Sequence, residues 1–154
     1  MRWLLFLLAL AVIGRSQWAL EAQDAANGSK VIKDAQGVCQ LTVPSDWLEG
    51  KGNAALVQSV DGKLNAATTP AATGTTFAEV AAAAKKMMPP TKVFEDSGSR
   101  IWFRYIGLNP QAGANYYVAV DTNPVCTARI TYKRPEAEET ARKIALSLSA
   151  APPK

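Results

Sequence analysis

The sequence contains no histidine, and this absence limits its chemistry more than any other feature of its composition. A Ser-His-Asp or Cys-His nucleophile system, a zinc site with histidine ligands and a histidine proton shuttle all require an imidazole. We therefore expect a protein that is not an enzyme, and we expect no cofactor and no bound metal.

Phosphate-binding loops and strongly basic segments are also lacking. Neither G-x-x-x-x-G-K-[ST] nor G-x-G-x-x-G occurs. The 17 Lys and Arg residues against 13 Asp and Glu residues leave a net charge of only +4 over 154 residues. The densest basic pairs are Lys85-Lys86 and Lys133-Arg134. Nucleic-acid-binding proteins usually carry a clustered basic stripe, so the sequence argues against a nucleic-acid partner.

Paired carboxylates are the enzymatic possibility that this composition leaves open. A hydrolase that uses two carboxylates needs them to face each other about 5–10 Å apart. The candidate acidic residues stand in turns or near strand ends, where turn formation also explains them: Asp46, Glu49, Glu95, Asp96 and Asp121. A small secreted hydrolase using carboxylates is therefore the alternative to a binding protein.

The N-terminal segment has the pattern of a secretory signal peptide. Met1 and Arg2 precede an uncharged apolar run of 12 residues, from Trp3 to Gly14. A membrane-spanning helix needs about 20 apolar residues, so this run is too short to span a bilayer. We expect residues 1–22 to be removed by cleavage between Ser16 and Ala22, which leaves no stable membrane span. The protein would then be secreted to the periplasm or the extracellular space; the alternative is an uncleaved interfacial anchor.

Two cysteines, Cys39 and Cys126, remain in the expected mature chain. An even number of cysteines in an exported protein favours a disulfide bond. Alternation along each predicted strand places both sulfur atoms on the apolar face, together with Leu41 and Val43 in one strand and Ala128, Ile130 and Tyr132 in the other. We expect a Cys39–Cys126 disulfide, with two separate buried thiols as the alternative.

The hydrophobic pattern predicts an α+β domain: an antiparallel sheet of about six strands packed with two helices. Strand pairs come first, followed by a helix capped by Thr76, a meander of strands and a C-terminal helix that opens at Pro135. The length suits a single domain, which we place at residues 37–149. A flexible lead-in (23–36) precedes this domain, and a frayed tail (150–154) follows it.

Two short segments resemble the PsbP-like and DcrB-like families of small exported α+β proteins. The residues from Cys39 to Trp47, CQLTVPSDW, resemble the strand-Pro-x-x-Trp start of these families, and Ala141 to Leu148, ARKIALSL, is similar to their final helix. The resemblance covers about residues 37–149. It implies a non-catalytic, exported binding or assembly module and transfers no metal or chloride site.

One face of the predicted sheet is the candidate binding surface. Trp102, Arg104, Tyr117 and Arg129 would form an aromatic and basic patch if that face stays uncovered. Such a patch suits an envelope protein or a small anionic or carbohydrate ligand. Alternatively, a helix covers Trp102 and Tyr117 while the arginines extend outward into solvent. If those two aromatic residues are buried, the patch does not exist.

Overall fold

The computed structural model describes residues 28–50, 53–108 and 113–153. The expected signal peptide and the first part of the expected lead-in lie outside these ranges. The elements within them are β1 (Ser29–Lys33), β2 (Cys39–Pro44), β3 (Leu48–Gly50), β4 (Asn53–Gln58), β5 (Leu64–Pro70), α1 (Phe77–Met87), β6 (Pro90–Asp96), β7 (Arg100–Ile106), β8 (Ala114–Val120), β9 (Cys126–Tyr132), α2 (Glu138–Leu146) and β10 (Ser149–Ala150).

The strands form two antiparallel sheets, which confirms the α+β class with its mostly antiparallel pairing. Seven strands form the large sheet in the order β3-β4-β5-β9-β8-β7-β6, and three form the small sheet in the order β1-β2-β10. The large sheet has seven strands, where about six were predicted, and the small sheet is an addition to the predicted one. Three short or polar strands, β1, β3 and β10, carry little apolar alternation and were not predicted.

Two hydrophobic clusters hold the layers together, one on each face of the large sheet. On the first face, apolar residues of β2, β5 and β9 pack with Ala141, Ile144 and Ala145 of α2. On the second face, α1 packs Phe77, Ala81 and Ala84 against β7 and β8. The small sheet and α2 therefore cover one face, and α1 covers part of the other.

Both helices begin where local sequence signals predict them. The Thr76 hydroxyl accepts a hydrogen bond from the Glu79 backbone N–H, and the Glu79 carboxylate accepts one from the Thr76 N–H, so the capping box is complete. Pro135 opens a single turn of 3-10 helix that leads into α2. The chain leaves α1 at Met87 and enters β6 at Pro90, because proline cannot continue a helix.

The predicted disulfide is confirmed. Cys39 in β2 is bonded to Cys126 in β9, and both residues are fully buried. This bond links the small sheet to the centre of the large one. Trp47, which ends the turn after β2, is buried in the first cluster.

The expected domain boundaries need correction at both ends. Ser29–Lys33, placed in the flexible lead-in, is strand β1 and pairs with β2. The buried Asp34 carboxylate holds the turn between these strands by accepting hydrogen bonds from the Gln36, Val38 and Cys39 N–H groups. Ala150, placed in the frayed tail, pairs with Cys39 in β10. The folded unit therefore includes Ser29 and Ala150.

Candidate functional site

The predicted aromatic and basic patch does not exist as a single exposed surface. Trp102 and Tyr117 are only 4% and 5% exposed. Strand register also separates the four residues, because partners directly opposite each other in an antiparallel pair share a face. Tyr117 lies opposite Phe103 and Arg129, whereas Arg104, like Trp102, points to the other face. The alternation of side chains along one strand does not reveal which residues of two paired strands lie opposite each other.

Trp102 instead lies inside an aromatic stack on the first face. Its ring stacks on Phe94 at 4.5 Å and meets Tyr116 edge-on at 5.6 Å. Arg142 of α2 lies over the Trp102 ring at 5.5 Å, and Lys92 lies over Phe94 at 4.9 Å. Cations thus flank both ends of this stack, as cation–π attraction favours.

Arg104 lines a cleft beside the start of α2, which we call the basic cleft. The cleft has a volume of about 240 Å³. Strands β7, β8 and β9 and the turn that leads into α2 contribute its lining: Arg104, Ala114, Tyr132, Lys133, Arg134, Pro135 and Glu138. Three of these side chains are cationic and one is acidic, so the cleft carries a positive charge.

Local sequence explains why these residues meet. Gly113 has a φ of +108°, and a Cβ atom there would overlap the Tyr132 carbonyl oxygen. Glycine at this position therefore lets the start of β8 approach the end of β9. Pro135 then turns the chain from β9 into α2, which brings Glu138 above the sheet beside Arg104.

Tyr132 lines the cleft beside Arg104 and is 5% exposed. Its buried hydroxyl has no hydrogen-bond partner of normal geometry in the part of the chain that the structure describes. Arg104 lies next to this hydroxyl, whose proximity raises the pKa of the guanidinium above its ordinary value. The Tyr132 hydroxyl therefore lies on the buried side of the cleft, next to the Arg104 guanidinium.

The acidic side of the cleft is a hydrogen-bonded pair. The Tyr116 hydroxyl donates to Glu138 Oε1 at 2.7 Å, and Arg104 Nη1 lies 4.0 Å from the same oxygen. Burial, followed by the hydrogen bond to Glu138, raises the pKa of Tyr116 well above its usual range. Tyr116 therefore keeps its proton and continues to donate it to Glu138 at neutral pH.

The cations around the cleft are poorly neutralised. Arg104 and Arg134 have carboxylate neighbours only at 4.0 and 3.7 Å. Lys92, Lys133 and Arg142 have no carboxylate within 4.0 Å among residues 28–50, 53–108 and 113–153. Other surface pairs are much closer, such as those between Lys85 and Asp96 at 2.7 Å and between Lys63 and Asp61 at 2.9 Å. This region therefore holds an excess of positive charge that a bound anion would neutralise.

Among the carboxylates considered for hydrolysis, Glu49 lies far from Glu95 and Asp96. Glu49 is in β3, and Glu95 and Asp96 are in β6; these strands form the two opposite edges of the large sheet. Six strand spacings separate them, or about 29 Å. Asp96 is also paired with Lys85. No group of three or more side chains suited to holding a metal ion occurs in the described part of the chain.

A second cleft, of about 490 Å³, lies where the loop before α1 meets the β6–β7 and β8–β9 turns. Asp121 is the one charged residue in its lining. The capping box already occupies the backbone N–H groups of Thr76 and Glu79 at the start of the helix in its wall. This cleft is larger than the basic cleft, but its lining has one charged side chain where that of the basic cleft has four.

The structure therefore places the four predicted site residues in three different locations. Arg104 lies in the basic cleft, Trp102 supports the neighbouring aromatic stack, and Tyr117 and Arg129 belong to the opposite face. Sequence reasoning missed Tyr132, Arg134 and Glu138 as site residues. The basic pair Lys133-Arg134 directly before Pro135 was the available signal.

No helix in the described ranges has the length and apolar character needed to cross a membrane. The buried disulfide is compatible with an exported, oxidising environment.

Comparisons with known proteins show the fold. No sequence family and no curated protein matches the chain. Among solved structures, the chain is similar to the solution structure of cyanobacterial PsbP (CyanoP) from Synechocystis sp. PCC 6803. The match has a TM-score of 0.52 and 8% sequence identity, and it covers 80% of this chain and 92% of the cyanobacterial one. The PsbP-like fold resemblance expected from the sequence is thus confirmed, and at this identity the likeness concerns the fold alone.

Proposed function

We propose that this protein is an exported, non-catalytic binding module that holds an acidic group of its ligand in the basic cleft. One observation carries the proposal: Arg104, Lys133 and Arg134 line a single cleft, and none of them has a carboxylate closer than 3.7 Å among residues 28–50, 53–108 and 113–153. Arginine and lysine side chains bind carboxylates and phosphates through charge-assisted hydrogen bonds. A bound acidic group would neutralise the excess charge and supply acceptors for these donors.

A small ligand fits the proposal better than a large one. The cleft volume of about 240 Å³ lies below the range of about 300–1,000 Å³ that is usual for drug-sized molecules. The convergent polar groups point to recognition of an anionic head group, and Pro135 and Ala114 supply apolar wall surface. A protein partner that inserts one acidic side chain into the cleft would use the same contacts.

Two-dimensional ¹⁵N–¹H NMR of the purified protein, titrated with inorganic phosphate at low ionic strength, tests this function. We expect saturable shifts of the backbone amides at Arg104, Ala114 and the non-proline residues between 132 and 138. Shifts that are spread evenly over the surface, or that concentrate around Arg129 on the opposite face, would refute it.

Export is the second part of the proposal. It is supported by the charged start and the 12-residue apolar run of the sequence, and by the buried disulfide, which an oxidising compartment favours. Intact-mass spectrometry of the protein produced with residues 1–22 present tests it. We expect the exported form to start between residues 17 and 23, and a protein retained in the cytoplasm at full length would contradict it.

A further inference from the structure

We propose that the basic cleft selects α-amino carboxylates, small molecules that carry an ammonium group next to the acid, and that Glu138 sets this selectivity. The inference rests on the proposed function, because it assigns the ligand class of the same cleft. It follows from the one acidic side chain among the cations of the lining.

Glu138 is held in the cleft by one of its two carboxylate oxygens. Oε1 accepts the hydrogen bond from the buried Tyr116 hydroxyl at 2.7 Å and lies 4.0 Å from Arg104 Nη1. The described residues provide no hydrogen bond to Oε2. Tyr116 thus fixes the Glu138 carboxylate through Oε1, while Oε2 stays free to accept a hydrogen bond from a ligand.

The charges of the cleft favour a ligand that carries both a negative and a positive group. Arg104, Lys133 and Arg134 attract an acid group, but a simple anion would also be repelled by Glu138. An ammonium group placed beside the acid turns that repulsion into attraction and donates to the free oxygen. A hydroxyl group would donate a hydrogen bond without neutralising Glu138, so a hydroxy acid should bind less well than an amino acid.

Acetate, glycolate and glycine form a matched series of probes, because they share the carboxylate and differ in the group on the next carbon. NMR titration of the wild-type protein with each probe, at pH 7 and constant ionic strength, gives their relative affinities. We expect glycine to bind at least fivefold more tightly than acetate, with glycolate between them.

The variant Glu138→Gln tests the role assigned to the side chain. We expect it to bind acetate at least fivefold more tightly than the wild type and glycine more weakly. Glu139→Gln is the matched control: it removes the same charge at the neighbouring position, where the carboxylate pairs with Lys143 at 3.0 Å. This control should leave the preference for glycine unchanged. Circular dichroism melting checks that both variants fold.

The outcomes separate this inference from the function on which it rests. If phosphate produces shifts in the cleft but acetate and glycine bind equally, or neither binds, the selectivity is refuted and the anion site stands. Equal effects of the two glutamine variants would also overturn the role of Glu138. If phosphate, acetate and glycine all fail to shift the cleft amides, the proposed function itself fails.

Discussion

Removal of the disulfide between Cys39 and Cys126 should lower the free energy of unfolding by about 3–5 kcal/mol. The two cysteines are 87 residues apart in the sequence. For a loop of this length, the chain-entropy estimate of cross-link stabilisation is about 4.6 kcal/mol at 25 °C. Domains of this size are usually stable by about 5–15 kcal/mol. The double variant Cys39→Ala/Cys126→Ala should therefore lose a fifth or more of the total stability.

Urea unfolding, followed by tryptophan fluorescence, measures this loss. The unfolded chain without the cross-link exposes more surface, so the m-value, the dependence of the free energy of unfolding on urea concentration, should also increase. Reduced wild-type protein, kept in reductant, is the matched control, because it retains both sulfur atoms without the bond. The difference between it and the alanine variant isolates the packing of the two sulfur atoms in the core.

Burial predicts a second property of the same bond. Because both cysteines are fully buried, a small thiol reductant should reach the disulfide only when the protein opens. We expect reduction to be slow in buffer and fast in urea, as followed by alkylation and mass spectrometry. A loss of less than about 1 kcal/mol in the double variant, or rapid reduction of the native protein, would refute the view that this bond connects the two sheets through a closed core.

Two further predictions concern the site and the first helix. Because burial and the bond to Glu138 raise the pKa of Tyr116 above that of an unfolded tyrosine, the native state retains a proton that the unfolded chain loses. The contribution of Tyr116 to the free energy of unfolding should be complete below pH 10 and should decrease as the pH rises above it. Melting temperatures measured between pH 8 and 11 should therefore fall less steeply for Tyr116→Phe than for the wild type. Equal slopes for the two proteins would contradict this. Thr76→Ala removes the hydroxyl that caps α1 and should cost about 1 kcal/mol in urea unfolding, whereas a neutral effect would show that the cap contributes nothing.

Much of the architecture could be predicted because its signals are local. Alternation along β2 and β9 correctly placed Cys39 and Cys126 on the core face. Thr76 and Pro135 marked the helix starts through the chemistry of their own side chains. Strand β10 could not be predicted, since two residues carry no pattern and pair only because β2 is adjacent.

The site was harder to predict because it depends on register and on contacts distant in sequence. Arg104 and Tyr116 share a face only because β7 and β8 pair with those residues opposite each other. Tyr117, the next residue along β8, lies opposite Phe103 and therefore points to the other face. Glu138 joins the site through a hydrogen bond to Tyr116, which lies 22 residues earlier. The alternation of side chains along a single strand reveals neither the register between strands nor contacts with a distant helix.

The phosphate dissociation constant of Arg134→Gln, compared with that of Arg129→Gln, tests the central claim most directly. Each variant removes one exposed arginine charge; Arg134 lines the basic cleft, and Arg129 lies on the opposite face of the large sheet. A charge-assisted hydrogen bond contributes about 1.5–3 kcal/mol, and a loss of 1.4 kcal/mol weakens binding about tenfold. We predict about tenfold weaker phosphate binding for Arg134→Gln and less than a twofold change for Arg129→Gln. Equal weakening of both variants would show that phosphate responds to net charge alone and would contradict the assignment of the cleft as the binding site.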